Sequence, residues 1–283
     1  MTEQYFELTH TKLAFKRWGK SDKTVILALH GWLDNLASYT PLMAEDNWLS
    51  DISASLIAVD WPGHGHSSKR PEHVTYSLVD YVYDLRQLIK ALKSERLIIL
   101  GHSLGGSVAT LYAGSYPESI QHLILIESMG PVTIEPQMAP EQLRKAIDAR
   151  QQQDNAKAEV VFNLETAVRK RVQMTGLAEP YARMILERNT EEQGKLARWR
   201  SDQRLRTPSM MMFTEEEARR FLECLTMPVD LIYGKEGYIH KYPAIQTRLD
   251  AVHDITTHEL PGGHHLHMEH PELVREVLSR ILA

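Results

Sequence analysis

The fold of this 283-residue chain is decided by one stretch, Ile98-Ile99-Leu100-Gly101-His102-Ser103-Leu104-Gly105-Gly106-Ser107-Val108. An apolar, strand-like run leads into the Gly-x-Ser-x-Gly pentapeptide at its centre, and small residues typical of a helix start lead out of it. A strand that turns so sharply into a helix holds the middle residue in a strained backbone conformation with its side chain exposed. A glycine two positions away on each side lets the chain pass without a clash. The stretch therefore predicts that Ser103 is a nucleophile.

Further apolar runs on both sides of this stretch predict a mostly parallel sheet. Strands buried on both faces read as continuous apolar sequence, and such runs occupy residues 24–30, 54–61, 96–100, 122–126, 229–233 and, more weakly, 255–260. Residues 4–18 alternate apolar and polar, which predicts a hairpin of two short strands. Between the runs, apolar residues recur at helical spacing, as over residues 78–92. Strands that alternate with helices predict an α/β fold with helices on both faces of the sheet.

One long segment interrupts this alternation. Residues 132–226 carry charged, amphipathic sequence that predicts helices over residues 141–153, 160–174 and 215–225, and no strand is predicted there. Three prolines cluster at its start and another follows its end. We therefore expect a core of residues 1–131 and 227–283, with a helical cap of residues 132–226 inserted between two strands. The cap is expected to cover the carboxyl edge of the sheet.

The composition argues against several classes of partner. The net charge of −5 offers no basic surface for nucleic acid or for an anionic membrane. The N-terminus lacks the apolar run of a secretory signal, and no stretch approaches the roughly 20 apolar residues that span a bilayer. A single cysteine, Cys224, fits a reducing compartment. We expect a cytoplasmic protein with neither a nucleic acid nor a membrane as partner, and the oligomeric state stays open.

The residues that follow each predicted strand form an ordered set of motifs. Open α/β sheets place their sites at the carboxyl ends of the strands. In chain order, the motifs found there are His30-Gly31-Trp32, Asp60-Trp61-Pro62-Gly63-His64-Gly65-His66-Ser67, Gly101 to Gly106, Glu127, Gly234 to Gly237, and Gly262-Gly263-His264-His265. Over nearly the whole chain this set resembles the α/β-hydrolase family, and the segment from Gly263 to Glu269 is similar to that of the serine hydrolase-like proteins. The resemblance implies an α/β-hydrolase fold.

The resemblance also implies partners for Ser103. A serine hydroxyl needs a base that takes its proton during attack. Alignment on Glu269 and the following Pro-Glu helix start places the catalytic imidazole at His264, with the adjacent His265 as the alternative. The developing oxyanion needs two donors, and the family supplies them from the backbone N–H groups that correspond here to Trp32 and Leu104.

The acid that orients the imidazole departs from the commonest family pattern. That pattern has an aspartate three residues after the glycine that ends the strand at 229–233, and this chain has Gly237 there. Some family members supply the acid from the end of the preceding strand, where this chain has Glu127. We predict Glu127 as the orienting acid, with Glu236 as the alternative.

The predicted activity is that of a carboxylesterase-like serine hydrolase, which cleaves a small carboxylic ester through an acyl-enzyme and uses no cofactor. A non-catalytic receptor or signalling protein of the same fold is the alternative, because the late aspartate is missing. The run His265-x-His267-x-Glu269-His270 also resembles the metal-binding signature of metallo-β-lactamase-fold hydrolases. Those proteins supply further ligands downstream, whereas the residues after His270 read as a helix without His, Cys or Asp. No metal site is therefore predicted.

Overall fold

The computed structural model describes residues 3–21, 23–45, 47–155 and 161–283. Its strands, in chain order, are β1 (Gln4–Glu7), β2 (Lys12–Trp18), β3 (Thr24–Leu29), β4 (Ala54–Val59), β5 (Arg96–His102), β6 (His122–Ile126), β7 (Val161–Phe162), β8 (Thr190–Gln193), β9 (Leu196–Trp199), β10 (Val229–Gly234) and β11 (Ile255–Leu260). Within the described residues, eight strands form the main sheet in the order β1-β2-β4-β3-β5-β6-β10-β11. The six strands from β4 to β11 run parallel, and the antiparallel hairpin of β1 and β2 continues the sheet beside β4. The predicted, mostly parallel sheet is confirmed.

Helices cover both faces of this sheet. They are α1 (Asn47–Asp51), α2 (Leu78–Leu92), α3 (Leu104–Ser115), α4 (Ala139–Asn155), α5 (Leu164–Thr175), α6 (Glu179–Asn189), α7 (Glu215–Glu223), α8 (Ile245–Asp250), α9 (Leu266–Glu269) and α10 (Pro271–Leu282). Side chains of α2 and α3 pack in one hydrophobic cluster, and those of α1 and α10 pack in another. Strand β3 contributes Leu27 and Leu29 to the first cluster and Ile26 and Ala28 to the second. Burial on both faces explains why its sequence is apolar from Val25 to Leu29.

The expectation that residues 132–226 contain no strand is wrong. Strands β7, β9 and β8 form a small antiparallel sheet there, next to the helices α4 to α7. The hairpin of β8 and β9 turns at Gly194, whose φ of 63° suits glycine. Its cross-strand partners include Glu191 and Arg198, which form an ion pair of 2.6 Å. These strands are short and charged, so the apolar signal of a buried strand is absent.

The helices predicted in the same segment are placed with different limits. The predicted helix over 160–174 begins at Leu164, after the short strand β7, and its first predicted residue, 160, lies outside the described residues. Helix α6 was not predicted. The division into a core and a cap stays a prediction, and we use the word cap for residues 132–226. None of the helices in the described residues is long and apolar enough to cross a membrane.

Two buried histidines make the fold sensitive to acid. Burial lowers the pKa of His30 to about 4 and that of His64 to about 3, from an ordinary value of 6.5. Between pH 6.5 and the lowered pKa of each histidine, the unfolded chain binds more protons than the folded chain. We therefore expect the free energy of unfolding to be highest above pH 6.5 and to fall with pH toward 3, by on the order of 3 to 5 kcal/mol for each histidine.

The buried carboxyl group of Asp84 partly opposes this loss. Burial raises its pKa to about 6, so the folded chain binds the extra proton and gains stability as the pH falls from 6 to 3.8. Thermal unfolding midpoints measured from pH 7.5 to pH 4 test both effects. We expect a falling midpoint in the wild type and a steeper fall in Asp84→Asn. A midpoint that is constant over this range would contradict the assignment of His30 and His64 as buried neutral groups.

Candidate active site

Ser103 lies on a sharp turn between β5 and α3. Its φ of 51° and ψ of −113° are strained for a residue other than glycine. The turn is held against the neighbouring strand, because the Ser103 N–H donates to the Ile126 carbonyl oxygen at 3.0 Å. A Cβ at Gly105 would lie 2.0 Å from the Leu29 carbonyl oxygen, and one at Gly101 would lie 2.6 Å from Cα of Gly106. The two glycines are therefore required by close backbone contacts, as the strand–turn–helix prediction implies.

Glu127 lies directly after β6, with its carboxylate buried. One carboxylate oxygen accepts the Gly234 N–H at 2.9 Å, and the other accepts the Tyr238 N–H at 2.7 Å. His264 Nδ1 donates to this second oxygen at 3.3 Å. Burial alone would raise the pKa of Glu127, but the hydrogen bonds from His264, Gly234 and Tyr238 outweigh burial and lower it. Glu127 is therefore ionised at neutral pH.

The carboxylate of Glu127 occupies space that Gly237 leaves free. A Cβ at position 237 would lie 1.9 Å from Glu127 Oε1, so any side chain there would displace the carboxylate. The alternative acid, Glu236, accepts the Gly262 N–H at 3.0 Å and makes no hydrogen bond to His264 in the part of the chain that the structure describes. Of the two acids considered from the sequence, Glu127 is the one in contact with His264.

The His264 ring packs against two other rings. The ring centroids of His102 and Tyr238 lie 4.8 and 4.5 Å from that of His264. Burial lowers the pKa of His264, and the hydrogen bond to Glu127 acts in the opposite direction. The imidazole is therefore neutral at neutral pH. Because Nδ1 donates to a carboxylate, the lone pair is on Nε2, which can accept a proton.

The loops that carry Ser103 and His264 are in direct contact. His102, the residue before Ser103, donates from Nε2 to the His264 carbonyl oxygen at 2.8 Å. Within the described residues, Ser103 Oγ makes no hydrogen bond to the His264 ring, and such bonds are often long before substrate binds. The alternative base, His265, donates from Nε2 to Asp34 at 3.2 Å. The adjacent histidines thus have different carboxylate partners, and it is His264 that faces Glu127.

The two backbone amides predicted to bind an oxyanion are available as donors. Neither the Trp32 N–H nor the Leu104 N–H donates to another group within the described residues. Leu104 is the first residue of α3, where amides lack a partner within the helix. The close approach of Gly105 to Leu29 brings the start of α3 against the end of β3, which leads into Trp32. The exposed Trp32 ring donates from Nε1 to the Leu205 carbonyl oxygen of the cap at 2.8 Å.

Three histidines of the run after β11, His264, His265 and His267, pack around the His102 ring, but their ring nitrogens do not share one partner. His265 bonds to Asp34, and both ring nitrogens of the fully buried His267 lack a hydrogen-bond partner among the described residues. Burial lowers the pKa of His267 well below its ordinary value. Across the ranges that the structure describes, no three side chains of His, Cys, Asp or Glu are grouped so that they could hold a metal ion.

A cleft of about 590 Å³ lies beside His264. It is bounded by the connection between α5 and α6 and by the loop after β11, and its walls include Tyr181, Tyr238 and His264. Sequence reasoning missed the contribution of Tyr238, whose amide holds Glu127 and whose ring packs on His264. Its position one residue after Gly237, in a strand-end loop, was the available signal.

The comparisons with known proteins agree with this fold. Residues 24–271 match the model of the alpha/beta hydrolase fold family. A serine hydrolase-like protein of Danio rerio is 30% identical over 278 residues, which cover 94% of this chain and 83% of that protein. Serine hydrolase-like protein 2 of Homo sapiens is 28% identical, with 95% of this chain and 90% of that protein covered.

Solved structures of other proteins share this fold. A hypothetical protein from Pseudomonas aeruginosa PAO1 superposes with a TM-score of 0.89 at 34% identity, covering 100% of this chain and 98% of that one. The thioesterase domain from the curacin biosynthetic pathway has a TM-score of 0.83 at 24% identity, covering 98% and 99%, and shows the fold alone. The chain therefore belongs to the α/β-hydrolase fold family, close to the serine hydrolase-like proteins.

Proposed function

We propose that the protein is a carboxylesterase-like serine hydrolase that cleaves a small carboxylic ester through an acyl-enzyme. The observation that carries this proposal is the contact between the buried, ionised Glu127 and Nδ1 of His264. Because of this contact, Nε2 of His264 is free to act as a base. The carbonyl oxygen of His264 also accepts a hydrogen bond from His102, the residue before Ser103. The contact supports Glu127 as the orienting acid despite the glycine at 237, and it favours a catalytic protein over the non-catalytic alternative.

In the proposed acylation step, Ser103 Oγ attacks the substrate carbonyl carbon and His264 Nε2 takes its proton. Glu127 stabilises the imidazolium that forms, and the N–H groups of Trp32 and Leu104 bind the oxyanion. The carbon–oxygen bond to the alcohol then breaks, and the alcohol leaves with the proton from His264. In the second step, water attacks the acyl carbon and His264 takes its proton; the bond to Ser103 Oγ then breaks, the acid leaves, and Oγ takes the proton back from His264.

The test is a panel of p-nitrophenyl esters of increasing acyl length, together with labelling by a fluorophosphonate. We expect turnover of short acyl esters and a covalent phosphonyl adduct on Ser103. Thioesters of the same acyl groups belong in the panel, because the same residues would cleave them. A protein that resists the phosphonate and turns over no member of the panel would contradict the proposal.

A further prediction concerns the position of the acid: a carboxylate at position 237 should replace that of Glu127. Glu127→Ala is expected to lower the rate strongly and to open the space beside Gly237 that the carboxylate fills. Adding Gly237→Asp to this variant is expected to raise the rate at least tenfold, because the new carboxylate enters the same space. Gly237→Asp alone is expected to be impaired, since its Cβ would overlap Glu127. Initial rates of the three variants decide this, and a double variant no faster than Glu127→Ala would contradict it.

A further inference from the structure

The direction of the Trp32 amide is fixed by the carbonyl group of the same peptide. Gly31 O accepts two hydrogen bonds, from His30 Nδ1 at 2.8 Å and from the Asp34 N–H at 3.1 Å. The Trp61 N–H donates to His30 Nε2 at 2.9 Å, so the proton of this imidazole is on Nδ1. In a trans peptide the C=O and the N–H point in opposite directions. The two bonds to Gly31 O therefore aim the Trp32 N–H.

Leu33, the next residue, has a left-handed backbone that is held by the cap. Its φ is 61°, a conformation that costs about 1–2 kcal/mol for a residue other than glycine. The Leu33 carbonyl oxygen accepts from Arg171 Nη1 at 3.2 Å and from Asn189 Nδ2 at 3.0 Å. Arg171 lies in α5 and Asn189 ends α6. The strained residue beside Trp32 is thus held at its carbonyl group by two donors from residues 132–226, while its N–H donates to His64 Nε2 at 3.2 Å.

Asp34 joins this loop to the cap and to the histidine loop. It is 1% exposed, and one carboxylate oxygen accepts from Arg171 Nη2 while the other accepts from His265 Nε2 at 3.2 Å. His102 Nδ1 lies 3.5 Å from the same second oxygen. Burial would raise the pKa of Asp34, but His265 and Arg171 outweigh burial and hold it well below its ordinary value. The ionised carboxylate therefore contacts neighbours of both Ser103 and His264.

We propose that Arg171 and Asp34 are positioning residues that couple the docking of helix α5 to the direction of the Trp32 N–H. Arg171 holds the Leu33 carbonyl and the Asp34 side chain together, and the Asp34 amide in turn holds Gly31 O. Loss of Arg171 would free the Leu33 carbonyl group and the Asp34 side chain, and it would leave the buried Asp34 carboxylate without this cation. The cap would thus act on the transition state as well as on the walls of the pocket. This inference rests on the proposed function.

The experiment compares Arg171→Gln with a matched control, Arg183→Gln. Arg183 lies in α6 and pairs with Glu165 of α5 and with Glu179, and it makes no contact with the Trp32 loop among the described residues. Rates are divided by the amount of Ser103 that fluorophosphonate titrates, so that unfolded protein does not count. We expect Arg171→Gln to lower kcat tenfold to a hundredfold with KM within twofold of the wild type, as for a weakened oxyanion donor. Arg183→Gln is expected to keep both constants, and Arg171→Lys to recover part of kcat.

Several outcomes would overturn the inference. A kcat for Arg171→Gln equal to that of Arg183→Gln would do so, as would a loss confined to KM, which would mean that Arg171 only shapes the pocket. If Arg171→Gln does not fold, Asp34→Asn replaces it, with the same kcat fall expected and an unchanged kcat counting against the inference. A wild type without turnover or phosphonate labelling would overturn the proposed function itself and this inference with it.

Discussion

Ser103→Ala is expected to abolish ester hydrolysis while the protein unfolds at nearly the wild-type temperature. The hydroxyl is the proposed nucleophile, and removal of a triad nucleophile lowers kcat by about 10⁶ in a serine protease. The backbone of Ser103 keeps its bonds in the variant, since the N–H bonds Ile126 O and the carbonyl oxygen accepts the Ser107 N–H. Alanine is also no less suited than serine to the positive φ. Initial ester rates and thermal unfolding midpoints measure the two halves of this prediction.

Ser107→Ala provides the control for this variant. Ser107 lies one turn further along α3, and its buried hydroxyl donates to Gly130 O at 2.8 Å. Its removal is expected to cost about 1 kcal/mol of stability and to leave phosphonate labelling intact. Wild-type turnover in Ser103→Ala, or loss of labelling in Ser107→Ala with Ser103 intact, would show that the reagent and the substrate react elsewhere.

The sheet could be predicted from the sequence because its strands are buried on both faces. Strand β3 is apolar from Val25 to Leu29 for this reason, and the strand-end motifs then follow from the parallel order. The hairpin of β8 and β9 could not be found in the same way, because it is short and carries charged residues such as Glu191 and Arg198. A continuous apolar run indicates burial on both faces, and these four-residue strands each bury a single residue and so leave no such run.

The residues of the candidate site also differ in how far the sequence predicts them. Ser103 is marked by a local motif, since the glycines that its turn requires are close in sequence. His264 faces Glu127 and His265 faces Asp34, and spacing does not encode these contacts. Asp34 and Arg171 lie far apart in the chain and carry no motif, so their ion pair is visible only in three dimensions.

Glu127→Gln is expected to lower kcat by up to about 10⁴, the loss found when the orienting aspartate of a serine protease triad becomes asparagine. The carboxylate accepts from His264, Gly234 and Tyr238, and an amide of the same size offers one oxygen for these three donors. Its NH₂ group would face either a backbone N–H or the imidazole N–H. The imidazole would then lose the tautomer that leaves Nε2 free, and the charge that stabilises the imidazolium would be gone.

The pH dependence of the same variant separates this role from simple loss of structure. The proposed base His264 can take a proton only when it is neutral. We therefore expect kcat/KM of the wild type to fall on the acid side, below pH 6.5, because burial lowers the pKa of His264. Glu127 acts against that lowering, and its replacement by glutamine is therefore expected to move the acid limb to still lower pH. Glu236→Gln is the matched control, since its carboxylate bonds only Gly262 among the described residues. A loss of rate and a shifted limb in Glu236→Gln, with neither in Glu127→Gln, would assign the orienting acid to Glu236.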